Sequence, residues 1–301
     1  MHYKRWTKAT PKSERPPPEK SRPKAMSVTS LSSLFDITRP DMAYLFGFLQ
    51  ADGSHSLGSR HRGRVSIEIK ASDAPLLQKF QELIPCRSTI SHRTRRTNFT
   101  EGDHSSATWS FHSFEARLAL SLLGLPPGRK SMTVRPPVPP FSERDYTRGL
   151  VDADGSLGFT ARGYPFIGFT TASSAMIEYF CEKVFEVTGR QRVVNRNKRD
   201  GVYNLMVTME AALEMADWMY YKDCLALERK AARAVSISTW SRPPGMRARS
   251  ARRRWTEAED AAIWSMTIPD AAQSLGRTEK SIQMRRWMLQ GTHGKQPGAS
   301  R

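Results

Sequence analysis

Short stretches of this chain alternate apolar and polar residues with period two, and longer ones space apolar residues for a helix. Together they predict one order of elements, used twice. From Arg64 to Lys70, Val65, Ile67 and Ile69 alternate with Arg64, Ser66, Glu68 and Lys70, the pattern of a half-buried strand. Ahead of it, Asp41 follows Pro40 and suits the N-cap of a helix running through Met42 to Ala51, with Gly53 suited to a left-handed stop. After it come a helix from Asp73 to Leu83, a hairpin from about Arg87 to His112 around a basic loop, and a helix from Phe114 to Leu123. Pro136 to Pro140 divides this series from the next. There Phe159 to Thr170 predicts a hairpin around Arg162 and Gly163, Ser174 to Val187 a helix, and Arg190 to Val207 a hairpin turning at Asp200 and Gly201. The fold class expected is α+β, two αββαββα repeats over residues 37–140 and 141–238.

Each series opens on nearly the same words. Tyr44 to Ser54 reads YLFGFLQADGS and Tyr146 to Ser156 reads YTRGLVDADGS, with Asp154 standing 102 residues after Asp52. A Tyr, a Gly three residues on and a closing Ala-Asp-Gly-Ser shared at fixed spacing mark a duplication. Gly47 and Ala51 lie four apart on one helix face, as do Gly149 and Ala153. Small residues at that spacing let two backbones approach, so Gly47 and Gly149 are the expected helix interface. Asp52 and Asp154 would then sit side by side where helix ends carry partial negative charge, an arrangement that divalent cations relieve.

Both segments resemble the LAGLIDADG motif of homing endonucleases. Against its nine letters, Leu45 to Gly53 gives LFGFLQADG and Thr147 to Gly155 gives TRGLVDADG. Gln50 replaces the sixth-position acid, Phe46 and Arg148 replace Ala, and Thr147 replaces Leu, while the eighth-position acids Asp52 and Asp154 are kept. The resemblance implies a DNA-binding saddle that cuts both strands of a long duplex and leaves 5′ phosphate and 3′ hydroxyl ends with a short 3′ overhang. It implies Asp52 and Asp154 as metal ligands, with the backbone carbonyls of Ala51 and Ala153, holding Mg²⁺ or in its place Mn²⁺. It also implies a basic residue closing each repeat and reaching the scissile phosphate, here Lys130 and Lys230. A duplication within one chain makes a monomer the expected state and frees the DNA site from palindromy. An RNA maturase acting on intron RNA remains open on the same scaffold. A non-cleaving DNA-binding regulator would be expected to lose Asp52 or Asp154. An intein is disfavoured, because the chain starts MHYK and ends in Gly-Ala-Ser-Arg without a splicing nucleophile or terminal His-Asn.

Charge agrees with a polyanionic partner. Lys and Arg number 47 against 29 Asp and Glu, for a formal net charge of +18. The expected double-stranded DNA contacts are Arg64, Lys70, Arg93 and Arg95 in the first repeat, and Arg190, Arg192, Arg196 and Lys198, with Val194, on one strand face in the second. No apolar run approaches ~20 residues and no signal peptide is visible, so a membrane is not expected. Three unpaired cysteines, Cys86, Cys181 and Cys224, argue against disulfides and zinc, and point to a reducing compartment. The expected location is cytoplasmic or nucleoid-associated in a phage or prokaryotic host, with an organelle left open. Residues 1–36 read as a disordered basic arm rich in Pro and Ser, 239–254 as a basic linker, and 291–301 as a tail. Between linker and tail, 255–290 predicts a small helical module. Thr256 and Glu259 form a capping box, Pro269 starts a second helix, Gly276 breaks it, and Thr278 caps a third helix carrying Lys280 and Arg285. RWTEAED followed by LGRTEKSIQMRRWML resembles a short Myb-like, helix-turn-helix DNA-binding segment, without that family's regularly spaced second and third tryptophans.

Overall fold

The computed structural model describes residues 34–96, 103–138, 140–246 and 255–293. Most of the expected arm, part of the linker and most of the tail therefore lie outside the described residues. Two compact units divide between Ser241 and Arg242. In the first unit, the first repeat runs α1 (Pro40–Asp52), β1 (Ser54–Leu57), β2 (Gly63–Lys70), α2 (Ala74–Leu83), β3 (Ser88–Arg96), β4 (Asp103–Phe111) and α3 (Phe114–Leu123). Its antiparallel sheet has the order β1-β2-β4-β3.

Register explains the alternation seen in the sequence. Val65 pairs with Phe111, Ile67 with Trp109 and Ile69 with Ala107, and this face meets the helices. Phe80 of α2 fills the space between Tyr44, Phe48 and Trp109. Burial of such rings is what holds helix and sheet together, each contributing about 1.5–3 kcal/mol. Phe35 and Ile37 are also buried in this core, so the packed chain begins before residue 37.

The second repeat runs α4 (Glu143–Asp154), β5 (Gly155–Phe159), β6 (Pro165–Thr171), α5 (Ser174–Thr188), β7 (Tyr203–Thr208), α6 (Glu210–Met219) and α7 (Glu228–Ser238). Its sheet has three strands, β5-β6-β7. The strand expected from Arg190 does not form, although the turn after it does. Gly201 has φ +68° and the Asn197 amide donates to the Val202 carbonyl at 2.8 Å. Arg196 Nε then donates to the Gly201 carbonyl at 2.6 Å, occupying an acceptor next to the turn. Arg190 lies 3.9 Å from Glu210 of α6, and Arg192 is half-buried near Cys181 of α5.

Two end signals also differ from expectation. Arg39, not Asp41, occupies the N-cap position of α1, and Asp41 sits in the first turn, bonding Arg39. Gly53 is extended, with φ −72°, because β1 starts at the next residue. Glycine is needed there for space, since a Cβ would stand 2.5 Å from the Leu49 carbonyl oxygen, and at Gly155 one would stand 2.7 Å from that of Val151.

The second unit contains α8 (Glu257–Ser265), α9 (Ile268–Leu275) and α10 (Glu279–His293) around Ile263, Ala271 and Ile282. The capping box at Thr256 and Glu259 is present, and Gly276 ends α9 at φ +57°. Arg285, expected to meet DNA, instead grips Asp260 through two bonds of 2.7 and 2.5 Å. Arg277 stacks on Trp255 and pairs with Glu259 at 2.9 Å. A core this small needs such links.

Candidate active site

The helix pair α1 and α4 supplies the frame. A Cβ on Gly47 would fall onto the Tyr146 carbonyl oxygen, and one on Gly149 onto that of Tyr44, both deep inside van der Waals contact. The helices thus meet backbone to backbone, each glycine against the other helix's tyrosine rather than against the other glycine.

Those tyrosines cross the interface. Tyr44 donates from its hydroxyl to Asp152 Oδ2 at 2.7 Å, and Tyr146 donates to Gln50 Oε1, so each motif's Tyr holds the sixth letter of the other. Asp152 also accepts from the Tyr220 hydroxyl at 2.6 Å and the Leu227 amide at 2.7 Å. Gln50 instead uses its amide nitrogen to donate to the carbonyls of Gly124 at 2.7 Å and Arg135 at 3.0 Å. Leu227 stands three residues before Lys230, and the residue three before Lys130 is Pro127, which has no N–H to offer a carboxylate. Arg148 is fully buried, bonding Asp145 and the carbonyls of Leu225 at 2.8 Å and Met219 at 2.7 Å, and so ties α4 to the segment leading to Lys230.

At the helix tips, Asp52 and Asp154 keep exposed edges. Partial withdrawal from water pushes both carboxyls above their ordinary range. At Asp52 the charge of Asp154 adds to the rise, and Lys130 and Lys230 pull both back. The lysines are buried, and their heads face inward. Lys130 Nζ donates to the carbonyls of Gln50 at 2.7 Å and Ala51 at 2.8 Å. Lys230 Nζ donates to those of Val151 at 2.6 Å, Asp152 at 2.7 Å and Gly155 at 2.9 Å. Each lysine satisfies helix-end carbonyls that would otherwise lack partners and neutralises the negative end of its own repeat's motif helix. Ala51 offers its carbonyl to Lys130, while Lys230 bonds the residues around Ala153. His55 fixes the segment that carries Lys130. Its Nδ1 lies 3.1 Å from the Leu125 carbonyl, and its own carbonyl accepts from the Gly128 amide at 2.8 Å. A cleft lined by Ala51, Lys130, Asp154 and Thr170 opens beside the acids.

Burial pushes Lys230 down to about 8. The unfolded chain keeps this lysine charged up to about pH 10.4, so between these values the unfolded state binds more protons and stability rises with pH. We predict that rise between about pH 8 and 10 in denaturant titrations, and its loss in Lys230→Met. Above that range the buried Tyr44, Tyr146 and Tyr220, all held well above their ordinary values, work in the opposite direction.

Of the expected DNA contacts, Arg64, Lys70, Arg93 and Arg95 share the face of the first sheet opposite its core. There Lys70 pairs with Ser106, Arg93 with Ser106 from the other side, and Arg95 with His104. Asp52 feels the charge of Glu68 on that face. Arg190 lies 3.9 Å from Glu210 with its side chain 41% exposed, Arg192 is half-buried, and Arg196 and Lys198 are exposed at the turn.

The LAGLIDADG-like domain family matches residues 39–112, from the start of α1 to just past β4. No curated protein matches. Among solved structures, the chain is similar to the I-SmaMI LAGLIDADG homing endonuclease bound to cleaved DNA, at 12% identity over 66% of this chain and 87% of that one, with a TM-score of 0.43. Mesophilic variants of the homing endonuclease I-DmoI match at 15% identity over 65% and 97%, with a TM-score of 0.44. I-DmoI in complex with DNA and Mn matches at 16% over 60% and 90%, with a TM-score of 0.36. The matched segment, residues 39–112, carries Asp52 and the first of the two motif copies.

Proposed function

We propose that this chain is a site-specific DNA endonuclease that hydrolyses both strands of a long duplex with the help of a divalent cation, Mg²⁺ or Mn²⁺. The observation that carries this reading is the pair Asp52 and Asp154, brought together by two helices in backbone contact, with Lys130 and Lys230 behind them. Neither carboxylate has a hydrogen-bond partner among the described residues, and no cluster of three or more His, Cys, Asp or Glu forms there. Two carboxylates suit Mg²⁺, which takes one or two from the protein and completes its shell with substrate phosphate and water. When bound, such a cation activates water and stabilises charge on the phosphate.

The remaining work falls to the chain's own groups. Asp52 and Asp154 fix the centre between the two strands. Lys130 and Lys230 hold the helix ends and add positive charge where the phosphate becomes more negative. Water attacks phosphorus, the 3′ oxygen leaves, and the ends carry 5′ phosphate and 3′ hydroxyl. The hydroxyl-rich, basic face of the first sheet lies along the duplex, with Arg and Lys holding phosphates and bases. The test is incubation of the full chain with a duplex library and Mg²⁺. Discrete double-strand cuts that disappear on chelation support the reading, and intact DNA at every metal and salt condition overturns it.

The second unit we propose as an accessory DNA contact through α10, where Lys280, Gln283, Met284 and Trp287 line an open groove. Lys280→Ala is expected to lower the slope of log K against log salt by roughly 0.9, one phosphate contact. Arg285→Ala should leave that slope unchanged while lowering the melting temperature of this unit, as salt titration and calorimetry would show.

A further inference from the structure

The outer faces of the two sheets differ in chemistry. The first carries Lys70, Arg93 and Arg95 among serines and threonines. On the second, the register opposite Ile167, Phe169, Leu205 and Val207 brings out Phe166, Thr170, Asn204 and Met206, and no strand contributes a charge. Of the arginines that precede β7, Arg190 lies 3.9 Å from Glu210 of α6 and Arg192 is half-buried near Cys181 of α5. Both large apolar groups on this face stand across from glycine. Phe166 pairs with Gly158, where even a Cβ would lie 3.6 Å from its ring, and Met206 pairs with Gly168 and is 54% exposed. Met206 is the more open of the two, and Phe166 is half-buried, with Arg233 Cδ 3.9 Å from the same Gly158 position. Positive charge stands at the border instead, where Arg229 and Arg233 of α7 line a cleft of about 260 Å³ beside β5.

We infer, on the strength of the DNA-endonuclease reading, that the two arms of the target are read by different chemistry. Met206 and Phe166 pack on the 5-methyl groups of thymine in the arm over the second sheet. Arg93 and Arg95 meet guanine edges in the other arm. Thymine is the base that offers a methyl in the major groove, and guanine N7 and O6 form the acceptor pair that fits a guanidinium. Phosphate contacts are left to the border arginines, which position the duplex without reading it.

The experiment selects duplexes bound by the full chain from a randomised library in chelator, then remakes the selected duplex with deoxyuridine for thymine in one arm at a time. Uracil lacks only the methyl. Affinity should fall about fourfold per contacted methyl in one arm alone, and Met206→Ala, a change at an exposed position, should erase that loss. Replacing guanine by 7-deazaguanine should weaken binding through the other arm, and Arg93→Ala with Arg95→Ala should erase this second effect. Equal or absent uracil effects in the two arms, or full discrimination retained by Met206→Ala, would overturn the inference. A library that yields no bound duplex would overturn the endonuclease reading itself.

Discussion

Asp52→Asn and Asp154→Asn are each expected to abolish double-strand cleavage while leaving duplex binding within a few-fold of the parent chain. The carboxylates sit at exposed helix tips without hydrogen-bond partners among the described residues, so the fold does not depend on their charge. Asparagine keeps the size and removes one negative charge from a pair that raises its own proton affinity. Apoprotein stability should therefore hold or increase slightly. Cleavage loses the anion that would hold a cation against the phosphate. A catalytic contribution of about 4 kcal/mol corresponds to a rate about 10³-fold lower. Single-turnover cleavage and gel-shift binding, measured on the same duplex, separate the two outcomes. Cutting by both variants at the parental rate would remove these residues from the mechanism.

Asp152 makes the contrast. It lies two residues before Asp154 in the same motif, yet it is fully buried and accepts three hydrogen bonds. Burial raises its carboxyl above the ordinary range, and those bonds work against the rise. It is a fastening of the helix pair, and a change there acts on stability first.

What the sequence made legible was whatever depends on spacing alone. The Tyr, Gly and Asp shared by the two motif copies placed two helices in contact with two acids at their ends. Alternation from Arg64 to Lys70 gave both a strand and its exposed face, because one set of side chains was apolar and the other mostly charged. The same rule failed at Arg190 to Lys198, where arginine and Val194 share a face. No strand forms there: Arg190 lies 3.9 Å from Glu210, Arg192 is half-buried near Cys181, and Arg196 bonds the Gly201 carbonyl, contacts that alternation alone does not reveal. The two lysines closing the repeats were legible by their offset, but their surroundings were not: Lys130 and Lys230 are drawn inward by carbonyls at the ends of α1 and α4, groups that every helix exposes and no sequence spells out. The crossing of Tyr44 to Asp152 and Tyr146 to Gln50 had one visible sign, the tyrosine shared by both copies, but its partner lies in the opposite motif.

Gly47→Leu and Gly149→Leu are expected to give the largest losses of stability in this chain. A leucine adds its Cβ where the facing helix already has a carbonyl oxygen, and a backbone atom cannot step aside as the end of a flexible side chain can. The helices must separate. Overpacking a tight contact costs about 1–3 kcal/mol and occasionally more, and backbone against backbone belongs at the upper end. For a unit of this size, about 3 kcal/mol lowers the melting temperature by roughly 6–12 °C. Separation would also stretch the bonds from Tyr44 to Asp152 and from Tyr146 to Gln50, and it would move Asp52 away from Asp154. Cleavage should therefore fall even in whatever fraction remains folded. Ala232→Leu adds the same kind of volume on the exposed face of α7 and should leave the melting temperature unchanged. Calorimetry on the three variants decides the matter. Unchanged melting for both glycine variants would mean that the two motif helices do not meet through this face, and the placement of the two acids side by side would fall with it.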